Sequence, residues 1–216
     1  MNLKEELANF AQQMSKNAPA EVLDTMGAEI GKLAESGIIE SALKVGDKVA
    51  DFELEDSNGD IVSLNTLTEK GAVVISFNRG NWCPFCNIEF KHLQNTVTEV
   101  KNVGANLIAI SPQLQEKSAE LIAQNGWSYP ILFDKENQVA KKFGIAFTLA
   151  ESLRPIHKAF GMDIPAHNGD TSFELPVPAT FVVNTNNKIV YASVNPNWME
   201  RAEANEYLSI AFYNKN

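Results

Sequence analysis

The sequence contains little cysteine, little histidine and no excess of positive charge. Two of its 216 residues are cysteine, three are histidine, and the formal net charge is −9. Two cysteines do not make the disulfide scaffold of a small secreted protein. The negative charge argues against nucleic acid or an anionic membrane surface as a partner.

Long hydrophobic runs are also absent. No apolar stretch approaches the roughly 18 residues that a membrane-spanning helix needs, and residues 1–6 are too acidic for a secretory signal peptide. We therefore expect a cytoplasmic protein with no membrane partner. The hydrophobic content of 44% is sufficient for a full core, and a chain of this length is expected to fold around one domain of ordinary size.

Both cysteines lie in one stretch that predicts a strand followed by a helix. Val73–Phe77 is apolar and β-branched, as in a strand covered on both faces. Apolar residues then recur at helical spacing after Cys86, and Pro84 suits the first turn of a helix. Cys83 and Cys86 are thus expected at a helix N-terminus, where free N–H groups and the helix dipole favour a thiolate. This placement of Cys-x-x-Cys favours redox chemistry, because two such thiols can attack in turn.

Three other interpretations of the cysteine pair compete with redox chemistry. In these interpretations the two cysteines form a structural disulfide, remain inert thiols in the core, or supply half of the ligands of a zinc site. Zinc needs about four ligands, and the remaining histidines, His92, His157 and His167, form no close pair. We therefore expect no metal and no cofactor, and we favour redox chemistry.

Helical spacing of apolar residues begins near the N-terminus. It predicts a helix over 3–16, an interruption at Pro19, and a second helix from Val22 to Leu33. Residues 1–42 are therefore interpreted as a helical extension ahead of a main domain at 43–216. The apolar stripe of this extension is expected to cover the core, with the interface of a homodimer as the alternative.

The pattern of apolar residues changes from period 3.6 to period two after Val45. Alternation over 50–54 and 61–64, with Asn58-Gly59 between, predicts a β-hairpin. Further strands are predicted at 107–111, 130–133, 180–183 and 188–192, and further helices at 115–125, 137–143 and 200–212. This alternation predicts an α/β fold. Residues 149–176 fit it poorly and are interpreted as an insertion loop near the active face, with a short helix at about 151–160.

Residues 43–213 resemble the peroxiredoxin-like branch of the AhpC/TSA family (alkyl hydroperoxide reductase and thiol-specific antioxidant), which has the thioredoxin fold. The resemblance rests on Val49–Leu54 with its hairpin, on Arg79-Gly80-Asn81-Trp82-Cys83-Pro84-Phe85-Cys86, and on Leu175–Val183. It implies a central mixed sheet flanked by helices, with an N-terminal β-hairpin and an extra N-terminal helical segment. It also implies a thiol-dependent peroxidase that reduces hydrogen peroxide or organic hydroperoxides and is re-reduced by a thioredoxin- or glutathione-type donor.

The sequence departs from the usual family motif at three positions. Ordinary peroxiredoxins resemble Pro-x-x-x-Thr-x-x-Cys, which places the peroxidatic cysteine at Cys86, the threonine at Cys83 and the proline at Arg79. The family arginine that precedes the Thr-Phe strand corresponds to Pro178. In thioredoxins the first cysteine attacks and a cis-proline faces it, so we predict that the Val177–Pro178 bond is cis and lies beside the cysteines.

The resemblance leaves the order of attack and the substrate open. Helix position favours Cys83 as the attacking thiol, whereas alignment with peroxiredoxins favours Cys86. Arg79 is either the cation that holds the thiolate or a solvated turn residue, and Trp82 either shields the pair or is a core aromatic. Cys-Pro-Phe-Cys also resembles the motif of thioredoxins and glutaredoxins. A thiol-disulfide reductase is therefore the first alternative, and a non-catalytic redox-sensing or binding module is the second.

Several polar residues are weaker candidates. We expect His92 to be a surface or satisfied side chain, and His157 and His167 to flank the insertion without a catalytic role. Arg201 precedes the last helix and is expected to form a structural ion pair. Asp134 and Glu136 are interpreted as solvated loop residues.

Overall fold

The central sheet has seven strands and mixed direction in the computed structural model, which describes residues 1–214. The strand order is β2-β1-β5-β4-β3-β8-β9, and β6 and β7 form a separate two-stranded sheet. The strands are β1 (Glu53–Glu55), β2 (Ile61–Ser63), β3 (Val73–Phe77), β4 (Asn106–Ser111), β5 (Ile131–Phe133), β6 (Ala146–Thr148), β7 (Glu174–Pro176), β8 (Ala179–Val183) and β9 (Ile189–Val194).

Helices cover both faces of this sheet. They are α1 (Leu3–Asn17), α2 (Ala20–Glu35), α3 (Ile38–Ser41), α4 (Leu64–Thr68), α5 (Pro84–Asn102), α6 (Gln115–Asn125), α7 (Gln138–Lys142), α8 (Arg154–Ala159), α9 (Ile164–Asn168) and α10 (Ala204–Tyr213). The predicted α/β class with a central mixed sheet, an N-terminal β-hairpin and an extra helical segment is confirmed.

Strand β3 lies in the interior of the sheet. It pairs parallel with β4 and antiparallel with β8, and all five of its residues are buried. Successive side chains of a strand point to opposite faces. Val73, Ile75 and Phe77 accordingly join one hydrophobic cluster, whereas Val74 joins the cluster that contains both cysteines and α5. Strand β3 therefore contributes side chains to two hydrophobic cores, as predicted for a strand that is covered on both faces.

Most of the predicted elements are present with small shifts in their ends. The hairpin β1–β2 is confirmed, but Leu64 begins α4 because Ser63 caps that helix and accepts a hydrogen bond from Thr66 N. Helix α6 has the predicted bounds and ends at Gly126, whose positive φ of 65° suits a glycine at a helix C-terminus.

The N-terminal helical hairpin is confirmed, and its first helix packs on the body of the protein. Leu3 and Leu7 of α1 are buried in the same cluster as α5. Lys4 donates to Glu206 of α10 over 2.6 Å, and Glu6 contacts His92 of α5 at 2.8 Å. Helix α2 has no fully buried residue, but Met26, Ile30 and Leu33 pack against the cores.

The segment 149–176 contains more structure than predicted. The predicted helix is present as the shorter α8, and a second short helix, α9, follows it. Strands β6 and β7 enclose the segment and pair antiparallel, from Ala146 opposite Pro176 to Thr148 opposite Glu174. Each of these strands has only three residues, and about 25 residues separate them in the chain. Such a pair has no hairpin turn, so the local sequence pattern did not predict it.

The predicted cis bond at Val177–Pro178 is wrong, because residues 1–214 contain no cis peptide bond. The chain runs extended from β7 into β8, as the residue before a proline prefers. Val177 N donates to the carbonyl of Ile145 over 2.8 Å, and the Pro178 carbonyl accepts from Asn195 N over 3.3 Å. These bonds hold both sides of an ordinary trans linkage. The argument for Pro178 as a thioredoxin-type cis-proline is thereby removed.

Candidate active site

The loop between β3 and α5 makes a tight turn that delivers the first cysteine to the start of α5. Gly80 has a positive φ of 127°, and a Cβ at this position would lie 2.8 Å from the indole nitrogen of Trp82. Asn81 N donates to the side-chain oxygen of Gln113 over 2.6 Å, and Cys83 N donates to the Gly80 carbonyl over 3.1 Å. Only glycine fits this turn, which fixes where Cys83 begins the helix.

Both cysteines are unpaired thiols in the first turn of α5. Cys83 is the N-cap residue, and Cys86 is the third residue of the helix. Neither side chain has any solvent-exposed surface. The predicted position at a helix N-terminus is confirmed, and the complete burial means that a substrate reaches the sulfurs only through an opening in the packing around them.

Arg79 is buried beside the first cysteine. It is 2% exposed, and its Nη2 donates a hydrogen bond to Cys83 Sγ over 3.0 Å. Its guanidinium lies between two indole rings, 5.1 Å from the centre of Trp82 and 5.0 Å from that of Trp198. Within residues 1–214, nothing accepts a hydrogen bond from its Nε or Nη1. The alternative that Arg79 is a solvated turn residue is wrong. Trp82 is buried in the hydrophobic cluster that also contains both cysteines, which agrees with its interpretation as a core aromatic.

Arg201 lies beside the second cysteine. Its Nη2 contacts Cys86 Sγ at 3.4 Å, and its Nε pairs with the carboxylate of Glu89. Its Nη1 donates to the backbone carbonyls of Trp198 and Glu200 over 2.8 and 2.7 Å. Arg201 does form the expected ion pair, but that pair is buried and belongs to the site.

The surroundings shift the two thiol pKa values in opposite directions. Burial by itself raises the pKa of Cys83, but the hydrogen bond from Cys86 and the charges of Arg79 and Arg201 outweigh it, so the pKa lies well below its ordinary value. Burial, the hydrogen bond to Cys83 and the charge on that sulfur raise the pKa of Cys86. The surroundings therefore favour a thiolate at Cys83 and a protonated thiol at Cys86.

The insertion contributes His157 to the surroundings of the pair. Its ring lies 5.7 Å from that of Trp82, and its Nδ1 is 2.9 Å from the Leu153 carbonyl, so Nδ1 carries the proton that it donates. Burial, followed by the charge of Arg79, lowers the pKa of His157. The histidine is therefore neutral near pH 7, and the insertion lies at the active face as predicted.

The other polar candidates lie elsewhere or have structural roles. His92 pairs with Glu6, as expected of a satisfied histidine. His167 is half-buried, and burial lowers its pKa. Glu136 is exposed, but the prediction of a solvated Asp134 is wrong, since this residue is 1% exposed. Its carboxylate accepts hydrogen bonds from the first backbone N–H groups of α7, which explains its burial.

Two residues of the site were missed from the sequence. Glu89 follows Cys86 by three residues on the buried face of α5, so an acidic residue on an otherwise apolar stripe was an available signal. Glu89 also accepts a hydrogen bond from Ser76 Oγ of β3 over 2.8 Å. Trp198 lies in an irregular segment after β9, where no periodic pattern marks it.

A mixed sheet with Cys-x-x-Cys at the N-terminus of the helix after its central strand defines a thiol oxidoreductase of thioredoxin-like fold. The model of the AhpC/TSA family matches residues 45–192, and the chain belongs to that family. Putative peroxiredoxin MT1643 of Mycobacterium tuberculosis is 30% identical over 148 residues, which are 68% of this chain and 83% of that protein.

Solved structures show the same likeness. Peroxidoxin BcpB from Mycobacterium tuberculosis superposes with a TM-score of 0.64 and 27% identity, over 81% of this chain and 99% of that one. A thiol-disulfide oxidoreductase, ResA of Halalkalibacterium halodurans, is 32% identical over 106 residues, but these are 49% of this chain and 59% of that protein. The broader match is to peroxiredoxins, and the chain is a thiol-dependent peroxidase of that type.

Proposed function

We propose that Cys83 is the thiol that attacks a hydroperoxide and that Cys86 then resolves the product into a Cys83–Cys86 disulfide. The observation that carries this assignment is the hydrogen bond of 3.0 Å from Arg79 Nη2 to Cys83 Sγ. It favours the thiolate at Cys83, while Cys86 retains its proton. The thiolate is the reactive form of cysteine.

In the first step the Cys83 thiolate donates an electron pair to the terminal oxygen of R–O–O–H. The S–O bond forms, the O–O bond breaks, and Cys83 becomes a sulfenic acid while RO⁻ leaves. The two unpartnered N–H groups of Arg79 are donors that can stabilise the negative oxygen as it develops. RO⁻ takes a proton and departs as the alcohol, or as water when the substrate is hydrogen peroxide.

In the second step Cys86 loses its proton and attacks the sulfur of the Cys83 sulfenic acid. The S–S bond forms and hydroxide leaves, which takes up the proton to become water. Arg201 lies 3.4 Å from Cys86 Sγ and stabilises the negative charge on that sulfur as it attacks. In total, one hydroperoxide and two thiols give an alcohol, a water molecule and a disulfide.

The cycle closes when a donor restores the two thiols. A thioredoxin- or glutathione-type thiol attacks the Cys86 sulfur of the disulfide, and Cys83 leaves as a thiolate beside Arg79. Cys83 is the better leaving group because its thiol has the lower pKa of the two. A second donor thiol then attacks the donor sulfur of the mixed disulfide, which releases Cys86 as a thiol and the donor as a disulfide. The chemical class of the donor belongs to this proposal.

Reduction of disulfides is the second candidate function. The low pKa of Cys83 and the partial similarity to ResA favour it. Both sulfurs are fully buried, however, and this burial suits a small hydroperoxide better than a disulfide in another protein. A non-catalytic redox module is the third alternative.

Mass spectrometry after one equivalent of peroxide tests the order of attack. Wild-type protein is expected to lose two hydrogen atoms as the disulfide forms, and Cys86→Ser is expected to accumulate a sulfenic acid at Cys83 that dimedone traps. Cys83→Ser is expected to stay unmodified. A sulfenic acid in Cys83→Ser instead would reverse the assignment, and turnover of insulin disulfides without any peroxide reaction would favour the second function.

The remaining expectations concern location and assembly. Within residues 1–214 no helix has the length and apolar character to cross a membrane. The cytoplasmic location, the homodimer and the division of the chain at residues 42 and 43 stay predictions.

A further inference from the structure

A cavity of about 370 Å³ lies directly against the redox loop. Arg79, Trp82 and Pro84 of that loop line one side of it, so the cavity borders both neighbours of Cys83 in the sequence. Its size is within the range of roughly 300–1,000 Å³ that is usual for sites of small organic molecules. A larger cavity of about 450 Å³, lined by other residues of α1, reaches Arg201 but none of these three residues.

The N-terminal helices form the opposite wall of the smaller cavity. Phe10 and Met14 of α1 and Met26 of α2 line it, and the Phe10 ring lies edge-on to that of Phe85 at 5.1 Å. The AhpC/TSA match begins at residue 45. This wall is therefore supplied by a part of the chain that lies outside the family match.

The insertion closes the remaining side of the cavity with further apolar groups. Ile156 and Met162 line it, and Phe160 lies at its edge with 52% of its surface exposed. Ser152 of the insertion donates to Glu29 of α2 over 3.0 Å, which links the insertion to the N-terminal helices. Apolar and sulfur-containing side chains thus surround the space on three sides, and methionine adapts well to ligands of irregular shape.

The polar groups of the cavity are concentrated at one end. Among its lining residues, all within 1–214, Arg79 alone carries a permanent charge, and its Nε and Nη1 are buried without a partner. His157 at the same end is neutral because burial and the charge of Arg79 lower its pKa. The cavity therefore matches a molecule with an apolar body and one oxygen group that accepts hydrogen bonds.

We propose that Phe10, Met14 and Met26 make the N-terminal helices a specificity-determining wall of the active site. They select hydroperoxides with a compact apolar body, such as a single ring, over hydrogen peroxide. This inference rests on the proposed attack by Cys83, which supplies the chemistry. An apolar body gains free energy by leaving water for this space, whereas hydrogen peroxide makes no such contact.

Substitutions that fill the cavity test this selection. Met14→Trp and Met26→Trp are compared with wild type by rapid quench and mass spectrometry of the disulfide, with cumene hydroperoxide and hydrogen peroxide as substrates. The rate constant for cumene hydroperoxide is expected to fall by roughly tenfold or more while that for hydrogen peroxide changes by less than about twofold. Met199→Trp is the matched control, because Met199 lines the other cavity, and it is expected to change neither rate constant.

Equal loss of both rate constants in variants with native circular dichroism would overturn the selection, because it would show a purely structural role. Binding of the product alcohol, 2-phenyl-2-propanol, to reduced wild type and to Met26→Trp is measured by calorimetry as well. Binding by wild type that Met26→Trp abolishes supports the cavity even if no hydroperoxide reacts, in which case the proposed attack by Cys83 is the part that fails. Absence of binding by wild type overturns the inference.

Discussion

Arg79 Nη2 donates a hydrogen bond to Cys83 Sγ over 3.0 Å, from a guanidinium that is held between two indole rings. Contact with both rings restricts the positions that the guanidinium can take and so helps to aim its N–H donors. The second sulfur, Cys86, has its own cation in Arg201. Each thiol thus has one arginine, and their different surroundings give the two sulfurs different protonation states.

Replacement of Arg79 by methionine is expected to raise the pKa of Cys83, because the nearest opposite charge is lost. The rate of reaction with hydrogen peroxide at pH 7 should fall by roughly a hundredfold, the usual cost of removing such a donor. Ultraviolet absorbance of the thiolate, followed against pH, measures the pKa, and stopped-flow kinetics measures the rate. Lys70→Met removes an exposed positive charge elsewhere and is the control; an unchanged thiolate titration in Arg79→Met would contradict the assignment.

Replacement of Glu89 by alanine is expected to destabilise the fold by about 3–5 kcal/mol, because it leaves the charge of Arg201 buried without its partner. Chemical denaturation measures the free energy of unfolding. The double variant Glu89→Met/Arg201→Met removes both charges and is expected to recover most of that loss.

The same double variant separates stability from chemistry. Without Arg201 beside Cys86, the Cys83 sulfenic acid is expected to persist longer before the disulfide forms, even in a well-folded protein. Dimedone trapping at successive times after peroxide addition measures its lifetime. An unchanged lifetime would show that Arg201 has only a structural role.

Gly80→Ala is expected to destabilise the protein by about 1–3 kcal/mol and to slow the peroxide reaction, because the new Cβ meets the Trp82 ring at a positive φ. Thermal unfolding and the peroxide rate constant measure the two effects. Gly31→Ala in α2 is the matched control, since its Cβ would meet no atom within 4 Å. That control is expected to stabilise by about 0.5–1 kcal/mol, and equal effects of the two substitutions would contradict the close approach at Gly80.

The buried His157 is expected to make the protein less stable in mild acid. Its pKa in the folded state lies below the ordinary value of 6.5, so the unfolded chain binds more protons below that pH. The free energy of unfolding therefore does not depend on the titration of His157 above pH 6.5. It decreases as the pH falls from 6.5 towards the folded-state pKa. Denaturation of wild type and of His157→Phe at pH 7 and pH 5 measures it, and the stability of wild type relative to the variant should decrease at the lower pH. A constant difference would show that His157 does not titrate as proposed.

Local patterns in the sequence predicted most of the secondary structure. The β3–α5 unit, the hairpin and α6 follow from hydrophobic period and capping residues that lie within a few positions of one another. Strands β6 and β7 escaped prediction because their pairing depends on contacts between segments far apart in the chain. The error at Asp134 has a different cause, since its partners Val139 and Ala140 lie only five and six residues further on and an N-cap signal was available.

The sequence by itself determined that two cysteines stand at the start of one helix after a buried central strand, because period and spacing are local properties. The proposed activation of Cys83 depends on the tertiary structure alone. Alignment and helix position disagreed on that point, and the decision depends on charges brought together from β3–α5 and from Arg201, 115 residues after Cys86. Electrostatic interactions act through space, over a few ångströms, and local sequence patterns do not show which distant charges come within that range.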